Sequence, residues 1–128
     1  MRRSPFIAFC SVVVAMVLAL ASCGGTPRDT LVETAPLSID DAATYEYVIP
    51  YGTSVSLAAG QTIDLMPTTL AAKVGESIRI VNRDDRDYMV GPFFIAARQT
   101  VGMRFTHTGT LVGTCDMNAA GEITITIT

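Results

Sequence analysis

The sequence predicts an all-β chain, an antiparallel β-sandwich of about seven short strands. Three observations carry this expectation. The closing stretch EITITIT places Ile123, Ile125 and Ile127 on one face and Thr124, Thr126 and Thr128 on the other. That is the period of a strand with one dry face and one wet face. Apolar and β-branched runs recur at about 8–12-residue spacing with turn residues between them, the rhythm of a sandwich. No helical period extends beyond one turn.

The elements follow in order. YEYVIP, residues 45–50, is aromatic and β-branched and is stopped by Pro50 and Gly52. TSVSLAAGQTIDLMP gives two short runs around Gly60 and ends at Pro67. TLAAKVGESIRIVNRDD carries Val74, Ile78 and Ile80, with a turn at Gly75 and Glu76 and a polar stop at NRDD. YMVGPFFIAARQTVGMRFTHTG sets Val101, Met103 and Phe105 at period two. A turn at Thr108 and Gly109 leads into TLVGTC, and the Ile/Thr strand closes the chain.

Residues 1–22 do not belong to that domain. Arg2 and Arg3 precede an apolar run from Phe6 to about Ala21, and small residues follow before Cys23. This is the three-part build of an export signal, and the run is shorter than the roughly 20 residues that span a bilayer comfortably. LASC at residues 20–23 resembles the lipobox of bacterial lipoproteins. The resemblance implies that Cys23 is lipidated and becomes the new amino terminus. Two or three acyl chains anchor stably where one binds only marginally. Gly24 rather than an aspartate follows, so nothing marks retention at an inner membrane. Residues 23–44, rich in Gly, Pro, Thr and Asp, read as the lipidated terminus and a flexible tether. The domain is then 45–128, exported, lipid-anchored, and facing the periplasm or the cell exterior.

Composition narrows the functions. Removing Arg2 and Arg3 from nine bases leaves seven against 12 acids, a net charge of −5. There is no basic run, so nucleic acid and anionic lipid surfaces are poor partners on charge alone. Of the three cysteines, Cys10 leaves with the signal and Cys23 carries lipid, so Cys115 stands alone and no internal disulfide can form.

From residue 68 to the end, and more loosely at YVIPYGT, the chain resembles the cupredoxin-like domain of small bacterial exported proteins. The residues that carry this are VGESIRIVNRDD, VGPF, the F-x-x-x-G of 105–109, and a single cysteine before the closing strand. The resemblance implies a Greek-key sandwich with a metal site at one end. In that family copper lies between a histidine just before VGP, the cysteine, and a histidine three residues later. Here those positions hold Tyr88 (Met89 if the register slips by one), Cys115 and Asn118. The methionine that often follows is absent from AAGEITITIT.

A blue-copper centre needs two imidazoles and a thiolate, and phenol and neutral amide are poor substitutes. His107 sits just before the Thr108 turn, and the strand that separates it from Cys115 is roughly 20 Å long. It therefore reads as a solvated turn residue. A softer set of Cys115, Met117 and Met89 would suit Cu(I). The bland reading makes the methionines gap-fillers and Cys115 a small buried apolar residue. Tyr88 and Asn118 are expected to hydrogen-bond each other or nearby loop backbone, filling the space of the lost ligands. Asp84, Asp85 and Asp87 lack the spacing of a calcium loop and read as a solvated turn. No serine–histidine–acid set or phosphate loop can be assembled. The expectation is a non-catalytic binding or accessory protein of the envelope, without cofactor, whose partner is an envelope protein or redox complex. The alternative is a copper or electron carrier with an atypical Cys/Met ligand set.

Overall fold

The computed structural model describes residues 34–128, which form nine strands and one short helix. The strands are β1 (Thr34–Pro36), β2 (Tyr45–Ile49), β3 (Thr69–Ala72), β4 (Ser77–Asn82), β5 (Tyr88–Val90), β6 (Phe93–Ile95), β7 (Thr100–Phe105), β8 (Gly109–Thr114) and β9 (Glu122–Ile127). The helix α1 spans Thr53–Ala58. The expected export signal at 1–22, the expected lipidation of Cys23 and the expected tether up to residue 33 lie outside the described residues.

One sheet has the order β1-β7-β4-β2, a second β3-β9-β8, and β5-β6 is a separate hairpin. The fold is all-β, the sandwich class that the sequence predicts. Two ladders depart from the purely antiparallel expectation. Strand β2 runs parallel to β4, with Tyr45 opposite Ile78 and Ile49 opposite Asn82. Strand β3 runs parallel to β9, with Thr69 opposite Thr124 and Ala72 opposite Ile127. Each parallel pair needs a crossover between the sheets, which places sequence-distant strands side by side.

The core follows from the alternation. Ile123, Ile125 and Ile127 are buried, and they meet Ile78, Ile80, Phe105, Val90 and Ile95 from the facing elements. Each such side chain contributes about 1.5–3 kcal/mol by leaving water. Among the described residues no helix is long and apolar enough to cross a membrane.

Two sequence expectations need correction. Residues 53–58 form a helix instead of a strand-like run. Six residues are too few for periodicity to show, and this helix has no capping side chain of its own, since Gly52 stands at its N-cap. Residues 34–44 are not slack tether. Strand β1 pairs with β7, Leu37 N–H donates to the Gly102 carbonyl at 2.9 Å, and Arg79 donates to the carbonyls of Ser38 (3.0 Å) and Asp41 (2.6 Å). The physical reason is local: Gly102 lets the chain approach closely, and the mostly buried Arg79 side chain satisfies backbone acceptors that composition alone leaves to water.

Candidate functional site

The sandwich has two poles. At one, β7 ends at Phe105 and β8 begins at Gly109, opposite Ile127. At the other, β4 ends at Asn82 and β8 ends at Thr114, opposite Glu122. Cys115, Met117 and Asn118 lie just beyond β8 at this second pole. His107 lies at the first, a full strand away, so Cys115 and His107 do not meet. The Thr106 hydroxyl lies 3.1 Å from Nδ1 of His107.

Strand β5 is joined to the cysteine segment. Val90 bridges Cys115, Gly91 N–H donates to the Thr114 carbonyl at 2.7 Å, and Asp116 N–H donates to the Met89 carbonyl at 2.9 Å. The Asp116 carboxylate also accepts from Met89 N–H at 2.7 Å. Strand alternation then fixes the side chains. Val90 shares a face with Cys115, and Tyr88 shares that face with Val90. Met89 points to the opposite face, where its cross-strand partner is the exposed Phe94. The structure thus brings Cys115 and Met117 into the core and leaves Met89 off their side of the strand.

Tyr88 is buried, and its hydroxyl donates to Oδ2 of Asp84 at 2.5 Å. Asp84 is itself 1% exposed. Its carboxylate accepts from Gly52 N–H at 3.0 Å and Ser54 N–H at 2.7 Å. A carboxylate from the loop after β4 therefore caps α1, which has no capping side chain of its own. Asn82 completes the network: its Oδ1 accepts from Asp84 N–H, and its Nδ2 donates to the carbonyls of Arg86 and Ala96. Burial pushes the Asp84 carboxyl up, but the donors from Tyr88, Ser54 and Gly52 together outweigh it and hold the group well below the usual carboxylate range. Burial, the hydrogen bond to Asp84 and the charge of Asp84 push Tyr88 up to about 12. Tyr88 therefore remains a donor and Asp84 an anion at neutral pH.

The expectation of a solvated acidic turn fails at Asp84, while Asp85 and Asp87 are exposed. Sequence reading missed this residue because the backbone donors that draw it inward lie 30 and 32 positions away. With α1 itself unread, no sequence signal pointed to Asp84 as the acceptor for its first N–H groups.

Asn118 is also buried and spends its amide on backbone. Its Nδ2 donates to the carbonyls of Glu122 (2.8 Å) and Pro67 (3.3 Å), and its Oδ1 accepts from Gly121 N–H at 2.9 Å. These bonds close the loop between Cys115 and β9. The partners of Tyr88 and Asn118 are Asp84 and loop backbone respectively, not each other. Cys115 is 1% exposed, and burial followed by the nearby Asp116 charge pushes its thiol up, against the N–H groups of Met117 and Asn118. A thiol of this kind is protonated and poorly nucleophilic. Ellman's reagent is expected to label Cys115 only after denaturation, and fast labelling of the folded protein would contradict the burial.

The donor set does not match a trigonal copper centre. The Tyr88 phenol is bonded to the Asp84 carboxylate, the Asn118 amide is bonded to backbone, and Met89 faces away from Cys115. Among the described residues no group of three or more His, Cys, Asp or Glu side chains gathers into a metal site.

No protein-family model and no curated protein sequence matches the chain. Solved structures do. A single-site mutant of amicyanin in its reduced Cu(I) form at pH 4 is 16% identical, with a TM-score of 0.44, covering 73% of this chain and 92% of that one. A second amicyanin mutant, in its oxidised form, is 15% identical, with a TM-score of 0.45 over 74% and 98%. Amicyanin from Paracoccus versutus (Thiobacillus versutus) is 12% identical, with a TM-score of 0.46 over 74% and 97%. These are proteins the chain is similar to at low identity.

Proposed function

We propose that this chain is an exported lipoprotein, anchored through Cys23, whose cupredoxin-like domain acts as a non-catalytic binding or accessory protein of the cell envelope. The observation that carries the reading is the commitment of Tyr88 and Asn118. Both stand where the family resemblance puts imidazoles, and the polar atoms of both are spent on protein partners. Releasing either for a metal would cost the hydrogen bonds made and leave buried partners unsatisfied. The partner in this reading is another envelope protein, in a redox or metal-handling assembly, a suggestion that rests on fold analogy.

A second reading has one observation in its favour. Cys115 and Met117 are both fully buried, and thiolate with thioether is a soft pair suited to Cu(I). Titration of residues 24–128 with Cu(I) and then Cu(II) separates the two. The first reading expects no stoichiometric uptake and no intense blue charge-transfer band. Stoichiometric uptake that is lost in Cys115→Ser would replace it with the second.

A further inference from the structure

We infer that the open edge of β8 is a self-association surface, on which a second copy of this chain pairs its own β8 antiparallel across a two-fold axis at Leu111. Strand β8 ends the sheet order β3-β9-β8. The direction of its backbone groups follows from the ladder. Thr124 N–H turns to the Thr68 carbonyl on the β3 side, so Ile123, Ile125 and Ile127 exchange bonds with Gly113, Leu111 and Gly109. The intervening Thr110 and Val112 therefore aim their N–H and C=O groups away from β9. Among the described residues no hydrogen bond reaches those outward groups.

The open stretch has a fixed centre. At one end Gly91 N–H holds the Thr114 carbonyl at 2.7 Å, so β5 closes the edge there. At the other the chain turns between Phe105 and Gly109. Thr110 and Val112 flank Leu111, and a two-fold axis at Leu111 sets Thr110 opposite Val112 of the second copy. In that register each outward N–H meets an outward C=O. An axis at Val112 would instead set Thr110 opposite Thr114, where β5 stands.

The strand lacks the devices that keep edges apart. GTLVGT, residues 109–114, has no charge and no proline, and Val112 is 65% exposed. The other described edges of the two sheets are blunted. Strand β1 has three residues and ends in Pro36, β2 carries Glu46, and β3 has four residues and runs into Lys73. The outer face beside β8 is uncharged too. Its rows are Thr69–Thr124–Val112 and Ala71–Thr126–Thr110. In a chain with 12 acids and nine bases, two copies meet here without like-charge repulsion. Their pairing joins the two β3-β9-β8 sheets into one. A single strand pair is small for an interface, so the dimer is expected to form between about 10 μM and 1 mM.

Hydrogen exchange of the full chain, expressed in a bacterial host and purified in detergent kept in excess over protein, supplies the test. Amide exchange is read at single residues by fragmentation mass spectrometry, at protein concentrations from about 10 μM to 1 mM. The amides of Thr110 and Val112 are expected to become protected as concentration rises, while those of Leu111 and Gly113, already bonded to β9, change little. Val112→Lys is expected to move that protection upward in concentration by at least about tenfold. Val55→Lys, at a 71% exposed position on α1, is expected to leave it unchanged. Free exchange at 110 and 112 throughout the range overturns the proposal. Protection that does not depend on concentration also overturns it, because the same chain then covers the edge. Protection unmoved by Val112→Lys does so as well. Thr110→Lys repeats the comparison if Val112→Lys fails to fold.

Discussion

Asp84→Ala is expected to destabilise the domain by about 3–5 kcal/mol, because three donors lose one buried, charged acceptor at once. The substitution strips the acceptor from the Tyr88 hydroxyl and from the N–H groups of Gly52 and Ser54, all at or near the pole that holds Cys115. These donors are left without an equivalent partner, and each buried orphan costs about 1–3 kcal/mol. Tyr88→Phe removes only one donor to a charged acceptor and is expected to cost about 1.5–3 kcal/mol. Urea unfolding of the three proteins measures both. Equal stability of Asp84→Ala and the parent would show that the network does not hold this pole together.

The same carboxylate sets a pH dependence. Its folded-state pKa lies below the ordinary carboxylate value, so the ionised form is favoured by folding. The stabilisation is fully present above that ordinary value, about 3.9, and is withdrawn as pH falls below it toward the folded-state value. Asp84→Asn removes this titration. Its stability is expected to be lower than the parent's at neutral pH and to fall less steeply on acidification, measured by unfolding at a series of pH values.

Gly113→Ala is expected to be comparably damaging for a steric reason. A Cβ at Gly113 would stand 2.7 Å from the carbonyl carbon of Gly91 and 2.8 Å from its Cα and oxygen. Those are backbone atoms and cannot turn aside. Gly91 is itself held by its N–H bond to Thr114 and sits at φ 57°. The β5–β6 hairpin would have to lift from β8, opening the Val90 and Cys115 pairing. The expected cost is about 3 kcal/mol, the upper end for forced overpacking. Gly121→Ala is the control: nothing lies within 4 Å of its Cβ position, and only its φ of 74° resists substitution. That conformational cost is about 1–2 kcal/mol. Denaturation midpoints rank the two, and faster labelling of Cys115 in Gly113→Ala would accompany the hairpin's release.

The strands that read most clearly from sequence are those with one buried face. Ile123, Ile125 and Ile127 alternate with threonines, and Ile78, Ile80 and Phe105 fall in similar rhythm, so period two was visible without neighbours. Their pairing was not. Tyr45 lies opposite Ile78 and Thr69 opposite Thr124 because of crossovers, and no local pattern encodes a parallel partner. Helix α1 was hidden by its length and by a cap borrowed from Asp84. Residues 34–44 looked like tether because Arg79, which fastens them, lies about 40 positions away.

The site divides in the same way. The resemblance singled out positions 88, 115 and 118, and Tyr88, Cys115 and Asn118 are all buried. What Tyr88 and Asn118 bond to could not be foreseen, because Asp84 reads as one of several acids in a polar loop and the acceptors of Asn118 are carbonyls. Burial turns Asp84 from a surface charge into the centre of a network, and burial is a property of the assembled sandwich.

The central claim is that protein atoms occupy the pole where the resemblance places copper. Metal analysis of the intact protein, purified from its own cells without added metal or chelator, tests it most directly. The account expects copper far below one ion per chain, unchanged in Asp84→Ala or Cys115→Ser. One tightly held copper ion per chain, lost when Cys115 is replaced by serine, would contradict it.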